Sequence, residues 1–110
     1  PDIRLVNRAR QILDELQLPS ELGEVVSQDK FVARPGDVAF IPSHWPGAAC
    51  AEMEAGAIAQ VAHAFRVPFL AVRALSDVTR HDDNPMEFEK FTEVAAENTA
   101  RFIRTWCACL

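Results

Sequence analysis

The sequence has few cysteines, no excess of positive charge and no long apolar run. Three of its 110 residues are cysteine, a low and odd count that is typical of a reducing cytosol rather than of a disulfide framework. The formal net charge is −5 at pH 7, which argues against a nucleic-acid or anionic-membrane surface. No apolar run approaches the roughly 20 residues of a transmembrane helix, and no signal peptide is visible. We therefore expect a cytoplasmic protein without nucleic-acid or membrane partners.

Two of the cysteines, Cys107 and Cys109, are separated by one residue and raise the question of a metal site. No second pair of ligands follows at the spacing that zinc sites use. We therefore expect neither a metal nor another cofactor. The chain starts at Pro1 rather than at Met, so we also expect further residues upstream.

Three segments have the apolar periodicity of amphipathic helices. The first covers residues 2–16 and the second residues 54–65. The third begins with Asn84 as its cap, Pro85 at the first helical position and Glu87 reaching back to the cap. The apolar stripe of the first helix contains Leu5, Val6, Ala9, Ile12, Leu13 and Leu16. The last helix is predicted to turn inward Phe88, Phe91, Val94, Ala95, Phe102 and Trp106.

Extended segments alternate with these helices. Residues 24–32 are extended in character, and residues 48–51 are short enough for a brief strand. Residues 69–75 are apolar on both faces, as expected for a strand that helices cover on both sides. Residues 34–47 hold three prolines and two glycines and are predicted to form a loop. The alternation predicts one α/β domain over residues 1–110 with a largely parallel sheet, although so apolar a strand requires neighbours that this chain lacks.

Carboxylates stand where two of these apolar segments end or begin. Asp77 follows the apolar run 69–75, and the sequence Glu52-Met53-Glu54 opens the central helix. Because ligands in open α/β sheets bind beyond the carboxyl ends of the strands, both segments can converge on one crevice. One carboxylate there can accept hydrogen bonds from the vicinal hydroxyls of a sugar. Another, with its pKa raised by partial burial, can hold a proton for a leaving group.

Each of these candidates also has a purely structural interpretation. Glu54 can simply favour a helix N-terminus through the helix dipole, and Asp77 can be a turn or cap residue. Arg73, inside an apolar strand, can be an ion-pair partner or mark a strand edge. Phe31 and Phe88 belong to a residue type that more often fills a core than stacks on a ligand. The residues alone leave these alternatives open.

Six motifs of the chain occur together in one known family. Residues 51–55 read Ala-Glu-Met-Glu-Ala and are followed by Ala-Ile-Ala at residues 57–59. Residues 67–69 read Val-Pro-Phe, and residues 73–77 read Arg-Ala-Leu-Ser-Asp. Further motifs are Ser-Gln-Asp-Lys-Phe-Val, which begins at Ser27, and Phe-x-x-Phe, which begins at Phe88. In their order along the chain, the motifs resemble the C-terminal half of bacterial 5′-methylthioadenosine/S-adenosylhomocysteine nucleosidase, a member of the purine nucleoside phosphorylase/nucleosidase superfamily.

The resemblance implies a fold and also its incompleteness. It implies a partial three-layer α/β/α phosphorylase/nucleosidase-like fold, in which helices flank a mixed sheet and the N-terminal strands are absent. The family's N-terminal half carries those first strands, a glycine-rich turn and the glutamate that activates the attacking water. The family is usually dimeric, so we expect a homodimer or higher self-association.

The resemblance also assigns roles at the sugar and at the leaving group. Met53 and Glu54 would line the ribose, with Glu54 holding its 2′- and 3′-hydroxyls. Asp77 would donate a proton to N7 of the purine as the glycosidic bond breaks, and Ser76 would orient Asp77. Glu52 and Arg73 belong to the same motifs, and we count both as substrate-binding candidates.

The remaining assigned roles concern the purine base. Phe31 would stack on the base, the backbone of Val32 would read its Watson–Crick edge, and Phe88 would close over it. Gln28 stands where the family usually has glycine, a departure that can reshape the base pocket.

The function implied by the resemblance is hydrolysis of the N-glycosidic bond of 5′-methylthioadenosine or S-adenosylhomocysteine, which releases adenine. Two alternatives remain at this point. The first is a purine nucleoside phosphorylase that uses phosphate in place of water, because the phosphate-binding residues would lie in the absent half. The second is an inactive truncated fragment that only binds nucleoside or dimerises.

Overall fold

The computed structural model describes residues 1–30, 34–75 and 85–110, with the backbone alone for residues 85–88. These residues form helices α1 (Ile3–Glu15), α2 (Pro35–His44), α3 (Ala55–Ala64) and α4 (Pro85–Ala108), and strands β1 (Glu24–Ser27) and β2 (Ala48–Glu52). The predicted α/β class is confirmed. The residues group into two compact units, one of residues 1–2 and 21–71 and the other of residues 3–20 and 72–110. That residues 1–110 form one domain stays a prediction.

The first unit is built on a two-stranded parallel sheet. Strand β1 pairs with β2 so that Ser27, the last residue of β1, lies opposite Glu52, the last residue of β2. The register shifts between Glu24 and Val25. Next to this irregularity, a Cβ on Gly23 would lie 2.2 Å from the Cβ of Ala49, so only glycine fits there. The parallel pairing brings the carboxyl ends of both strands to the same edge of the sheet.

The prediction of a loop over residues 34–47 is wrong, because most of these residues form helix α2. The helix spans Pro35–His44 and has Pro35 in its first turn, where the fixed φ of proline suits a helix and its missing N–H is not needed. Asp37 places a negative charge in the same turn, which the helix dipole favours. Pro42 lies inside the helix and removes one backbone hydrogen bond, and the helix ends two residues later. The prolines therefore mark the beginning and the end of a short helix.

Helices α1 and α4 pack against each other in the second unit. The predicted stripe of α1 is confirmed at its buried residues Val6, Ala9 and Ile12, and Phe102 is the buried residue of α4. The guanidinium of Arg101 also donates a hydrogen bond of 3.1 Å to the carbonyl of Leu16, just beyond α1.

The prediction that Phe91 and Val94 turn inward is wrong, because both side chains are exposed. Helix α4 has 24 residues and α1 has 13, so their lengths are about 36 and 20 Å at 1.5 Å per residue. Helix α1 can therefore cover only part of α4, and the covered part includes Phe102. Ala95 and Trp106 are half-buried, and the side chain of Phe88 lies outside the described residues.

The predicted strand over residues 69–75 is not formed in the described structure. Its first residue, Phe69, accepts a backbone hydrogen bond of 3.0 Å from Asp2, whereas Val72 and Leu75 are exposed. A strand needs a neighbour that satisfies its backbone groups. Among the described residues, β1 and β2 pair only with each other, so this apolar run has no strand beside which to pair.

No helix among residues 1–30, 34–75 and 85–110 is long and apolar enough to cross a membrane.

Candidate functional site

The candidate site lies at the carboxyl ends of β1 and β2, where the chain turns into α3. Glu52 is the last residue of β2, Met53 and Glu54 form the turn, and α3 begins at Ala55. The parallel register brings Ser27 of β1 opposite Glu52. The Glu-Met-Glu motif thus lies at the start of the central helix, as predicted, and the structure adds that its first glutamate also ends β2. We call Ser27, Glu52, Met53, Glu54 and Gly56 the strand-end corner.

Glu52 is the buried polar centre of the strand-end corner, with only 8% of its surface exposed. Its Oε2 accepts hydrogen bonds from the backbone N–H groups of Glu54, at 2.9 Å, and of Ala55, at 2.7 Å. Its Oε1 accepts a hydrogen bond from the hydroxyl of Ser27. A carboxylate can be buried at tolerable cost only when such donors surround it. Glu52 also satisfies N–H groups that the start of a helix leaves without an intrahelical partner.

Ser27 extends this hydrogen-bond network into the first turn of α3. Its Oγ accepts a hydrogen bond of 2.7 Å from the backbone N–H of Gly56 while it donates to Glu52. A Cβ on Gly56 would lie 2.8 Å from the Cβ of Ser27 and 3.0 Å from its Oγ. The absence of a side chain at residue 56 therefore lets Ser27 approach the helix, at a cost in helix propensity of up to about 1 kcal/mol.

The other two residues of the motif face solvent. Met53 is 45% exposed, and Glu54 is also exposed. Glu54 occupies the cap position of α3, yet its side chain makes no capping hydrogen bond. The two glutamates of the motif therefore stand in different environments, one inside the hydrogen-bond network and one at the surface beside it.

Gln28, which the family resemblance sets at a position usually held by glycine, adjoins the strand-end corner. Its backbone N–H donates to the carbonyl of Glu52 at 3.0 Å. Its side-chain Nε2 is buried and has no hydrogen-bond partner among the described residues. A buried donor that is left without an acceptor costs about 1–3 kcal/mol. The side-chain amide of Gln28 is therefore a hydrogen-bond donor without a described acceptor next to the site.

The other predicted site residues are not brought to the strand-end corner by what the structure describes. Arg73 belongs to the second unit, where it is exposed and lies outside any helix or strand. Phe88 belongs to α4, but its side chain is not described. Four further predicted residues lie outside the described residues, namely Phe31, Val32, Ser76 and Asp77. The roles of all six stay predictions.

A salt bridge within the same unit links the segment after β1 to α2. The Nζ of Lys30 lies 2.7 Å from Oδ1 of Asp37. The hydrogen bond from Lys30 lowers the pKa of Asp37 below its ordinary value of 3.8, with smaller help from the charge of Arg34. Among residues 1–30, 34–75 and 85–110, no group of three or more His, Cys, Asp or Glu side chains is arranged to hold a metal ion.

The sequence interpretation missed the roles of Ser27 and Gly56. The family resemblance includes Ser27 only as the first residue of a motif and gives Gly56 no role. The available signal was a glycine in the first turn of a helix that directly follows a strand, because such a glycine often marks a close approach of another segment.

The chain matches known proteins over nearly its whole length. A family model described as the phosphorylase superfamily matches residues 1–108. Relatives named 5′-methylthioadenosine/S-adenosylhomocysteine nucleosidase are 39% identical in Tolumonas auensis, 38% in Hydrogenovibrio crunogenus and 31% in Oceanobacillus iheyensis. Each match covers 93% of this chain but 44% of the relative. The chain therefore spans less than half the length of the curated relatives it matches.

Proposed function

Because the chain belongs to the phosphorylase superfamily, we propose that its polypeptide cleaves the N-glycosidic bond of a purine nucleoside with water. The proposed substrates are 5′-methylthioadenosine and S-adenosylhomocysteine, after which the relatives are named. The proposed products are adenine and the corresponding thioribose, and the proposed location is the cytoplasm. The observation that carries the proposal is the strand-end corner, which exposes Met53 and Glu54 at the carboxyl ends of two parallel strands.

The proposed role of Glu54 is to hold the ribose. An ionised carboxylate only accepts hydrogen bonds, and its two oxygens can receive the 2′- and 3′-hydroxyl protons of one sugar. Cleavage of a glycosidic bond passes through an oxocarbenium-like transition state. A fixed negative charge close to the ring stabilises the positive charge that develops there. Met53 next to it offers an apolar surface to the sugar.

The proposed role of Asp77 is to make adenine a competent leaving group. As the bond between C1′ and N9 breaks, its electron pair moves into the purine. Transfer of a proton from Asp77 to N7 keeps the departing base neutral, and Ser76 orients the donor. The oxygen of water bonds to C1′ and gives its proton to a base, for which the family resemblance provides a glutamate in the family's N-terminal half.

The remaining predicted residues complete the proposed site. Phe31 and Phe88 would enclose the purine, and the backbone of Val32 would hydrogen-bond to its edge. Arg73 and Glu52 belong to the matching motifs. We propose contact with substrate for Arg73, whereas the burial of Glu52 supports a role behind the surface.

Adenine release by the intact polypeptide, assayed with and without phosphate, tests the proposal. We expect release from 5′-methylthioadenosine without phosphate and no acceleration when phosphate is added. Release that requires phosphate would make the protein a phosphorylase. No release under either condition would overturn the proposed activity.

Replacement of Asp77 by asparagine tests the leaving-group step in the same assay. The amide cannot supply the proton, so we expect kcat to fall by about 10²- to 10⁴-fold while nucleoside binding survives. Asp14→Asn, the same change at an exposed position on α1, should leave kcat unaltered. Near-normal turnover in Asp77→Asn would remove Asp77 from the mechanism.

A further inference from the structure

We infer that Ser27 and Glu52 are positioning residues that set the place of Glu54, an inference that rests on the proposed function. Glu52 binds the backbone N–H of Glu54 directly, and Ser27 donates its hydroxyl proton to the other oxygen of the same carboxylate. The backbone of Glu54 is thus held in place by the buried carboxylate of Glu52.

The hydrogen-bond pattern separates two tasks within the Glu-Met-Glu motif. A helix N-terminus is usually capped by the side chain of its own cap residue, which here is Glu54. In this chain Glu52 supplies the acceptor instead, from two residues upstream. Glu54 is therefore not needed as a cap, and its carboxylate stays exposed at the position where the proposed ribose binds.

Ser27 ties this arrangement to the sheet. Its hydroxyl donates to Oε1 of Glu52 while the backbone N–H groups of Glu54 and Ala55 occupy Oε2, so the carboxylate is held at both oxygens. Because Ser27 ends β1 and Glu52 ends β2, the start of α3 is fixed to two strands at once. Because the carboxylate of Glu52 is buried, the loss of any of its hydrogen-bond donors would be costly.

Two substitutions, each made in the intact polypeptide, remove separate parts of the network. Ser27→Ala deletes the donor to Glu52 and the acceptor of the Gly56 N–H. Glu52→Gln keeps the side-chain size but turns one acceptor into a donor, so at least one of the present donors loses its acceptor. Ser20→Ala and Glu21→Gln make the same chemical changes at exposed positions and serve as matched controls.

The first readout is the preference for a 2′-hydroxyl. We measure kcat/KM for 5′-methylthioadenosine and for its 2′-deoxy analogue, which lacks one of the hydroxyls proposed to bind Glu54. Ser27→Ala and Glu52→Gln should each reduce this preference by about tenfold, equivalent to about 1.4 kcal/mol. A loss of folded protein would lower both values equally and leave the ratio unchanged.

The second readout is hydrogen exchange of the backbone amides in residues 53–58 without nucleoside. Exchange should be about tenfold faster in Ser27→Ala and Glu52→Gln, because the protecting acceptors are lost, and unchanged in the controls. Unchanged exchange, or an unchanged 2′-hydroxyl preference in variants of an active enzyme, would overturn the positioning role and leave the proposed function standing. If the wild type releases no adenine, the proposed function fails and the positioning role fails with it.

Discussion

Helix α3 has two regions of opposite character, its N-terminal end and its outer face. At the N-terminal end, the N–H groups of Glu54, Ala55 and Gly56 all have acceptors on Ser27 or Glu52. On the outer face, the apolar side chains of Ile58, Val61 and Phe65 are 56%, 60% and 78% exposed. The N–H groups of the first region find their acceptors on described residues of this chain, whereas no described residue covers the apolar side chains of the second.

These two regions differ in whether the partners that they need are among the residues of this chain. The polar contacts of the strand-end corner join neighbours in one short sheet, so both partners of each bond are present. An amphipathic helix instead needs a second layer to cover its apolar stripe. The chain spans 44% of the length of its relatives, so it is the outer face that we expect other polypeptide to cover.

The largest expected effect concerns this exposed face. Continuous apolar patches are rare on monomers, so we expect the isolated 110-residue chain to self-associate in sedimentation. Val61→Lys combined with Phe65→Lys should disperse it, because burying each apolar side chain contributes about 1.5–3 kcal/mol. Gln60→Lys adds a charge at a polar position of the same helix and should leave the association intact. A monodisperse wild-type monomer would show that the face needs no cover.

An effect of intermediate size is expected at the strand-end corner. Gly56→Ala places a Cβ within 2.8 Å of Ser27 and should lower the free energy of unfolding by about 1–3 kcal/mol. Gly36→Ala in α2 meets no described atom within 4 Å and should be neutral or stabilise by up to about 1 kcal/mol. Denaturant unfolding of both variants measures the contrast. Equal effects at residues 56 and 36 would mean that the close approach of Ser27 does not constrain the corner.

The smallest expected effect comes from the exposed salt bridge between Lys30 and Asp37. Since the folded-state pKa of Asp37 is lowered, its contribution to stability is present above the ordinary pKa of 3.8 and is lost as the pH falls through the folded value. Asp37→Asn should therefore be slightly less stable than wild type near neutral pH, and the two should converge in acid. Unfolding curves across this range measure the difference, which added salt should shrink. A large, salt-insensitive difference would show that this exposed salt bridge matters as much as the hydrogen bonds of the buried Glu52.

Periodicity and chain order were sufficient to predict three helices and the position of the Glu-Met-Glu motif. The stripe of α1 is a local repeat, so Val6, Ala9 and Ile12 could be identified as buried without knowledge of their partners. The place of the Glu-Met-Glu motif at the start of α3 followed from the apolar periodicity of that helix, which begins directly after the motif. These features depend on residues that are close in sequence.

The incorrect or missing predictions depend on distant partners or on the position of a proline. The prolines and glycines of residues 34–47 predict a loop, because prolines usually interrupt regular structure, but Pro35 lies in the first turn of α2. Residues 69–75 have the composition of a buried strand but no strand beside them among the described residues. The hydrogen bond between Ser27 and Glu52 joins side chains that are 25 residues apart, so no local sequence pattern predicts it.

The most direct test of the proposed ribose site is kcat/KM of Glu54→Gln for 5′-methylthioadenosine, measured in the intact polypeptide without phosphate. The amide retains the size of the side chain but loses its charge and one acceptor. With Glu21→Gln as the control, we predict a fall of about 10²-fold or more, since two hydrogen bonds to a charged group are lost or weakened. Activity of Glu54→Gln within about twofold of wild type, a difference below about 0.5 kcal/mol, would contradict the assignment of the strand-end corner to the ribose.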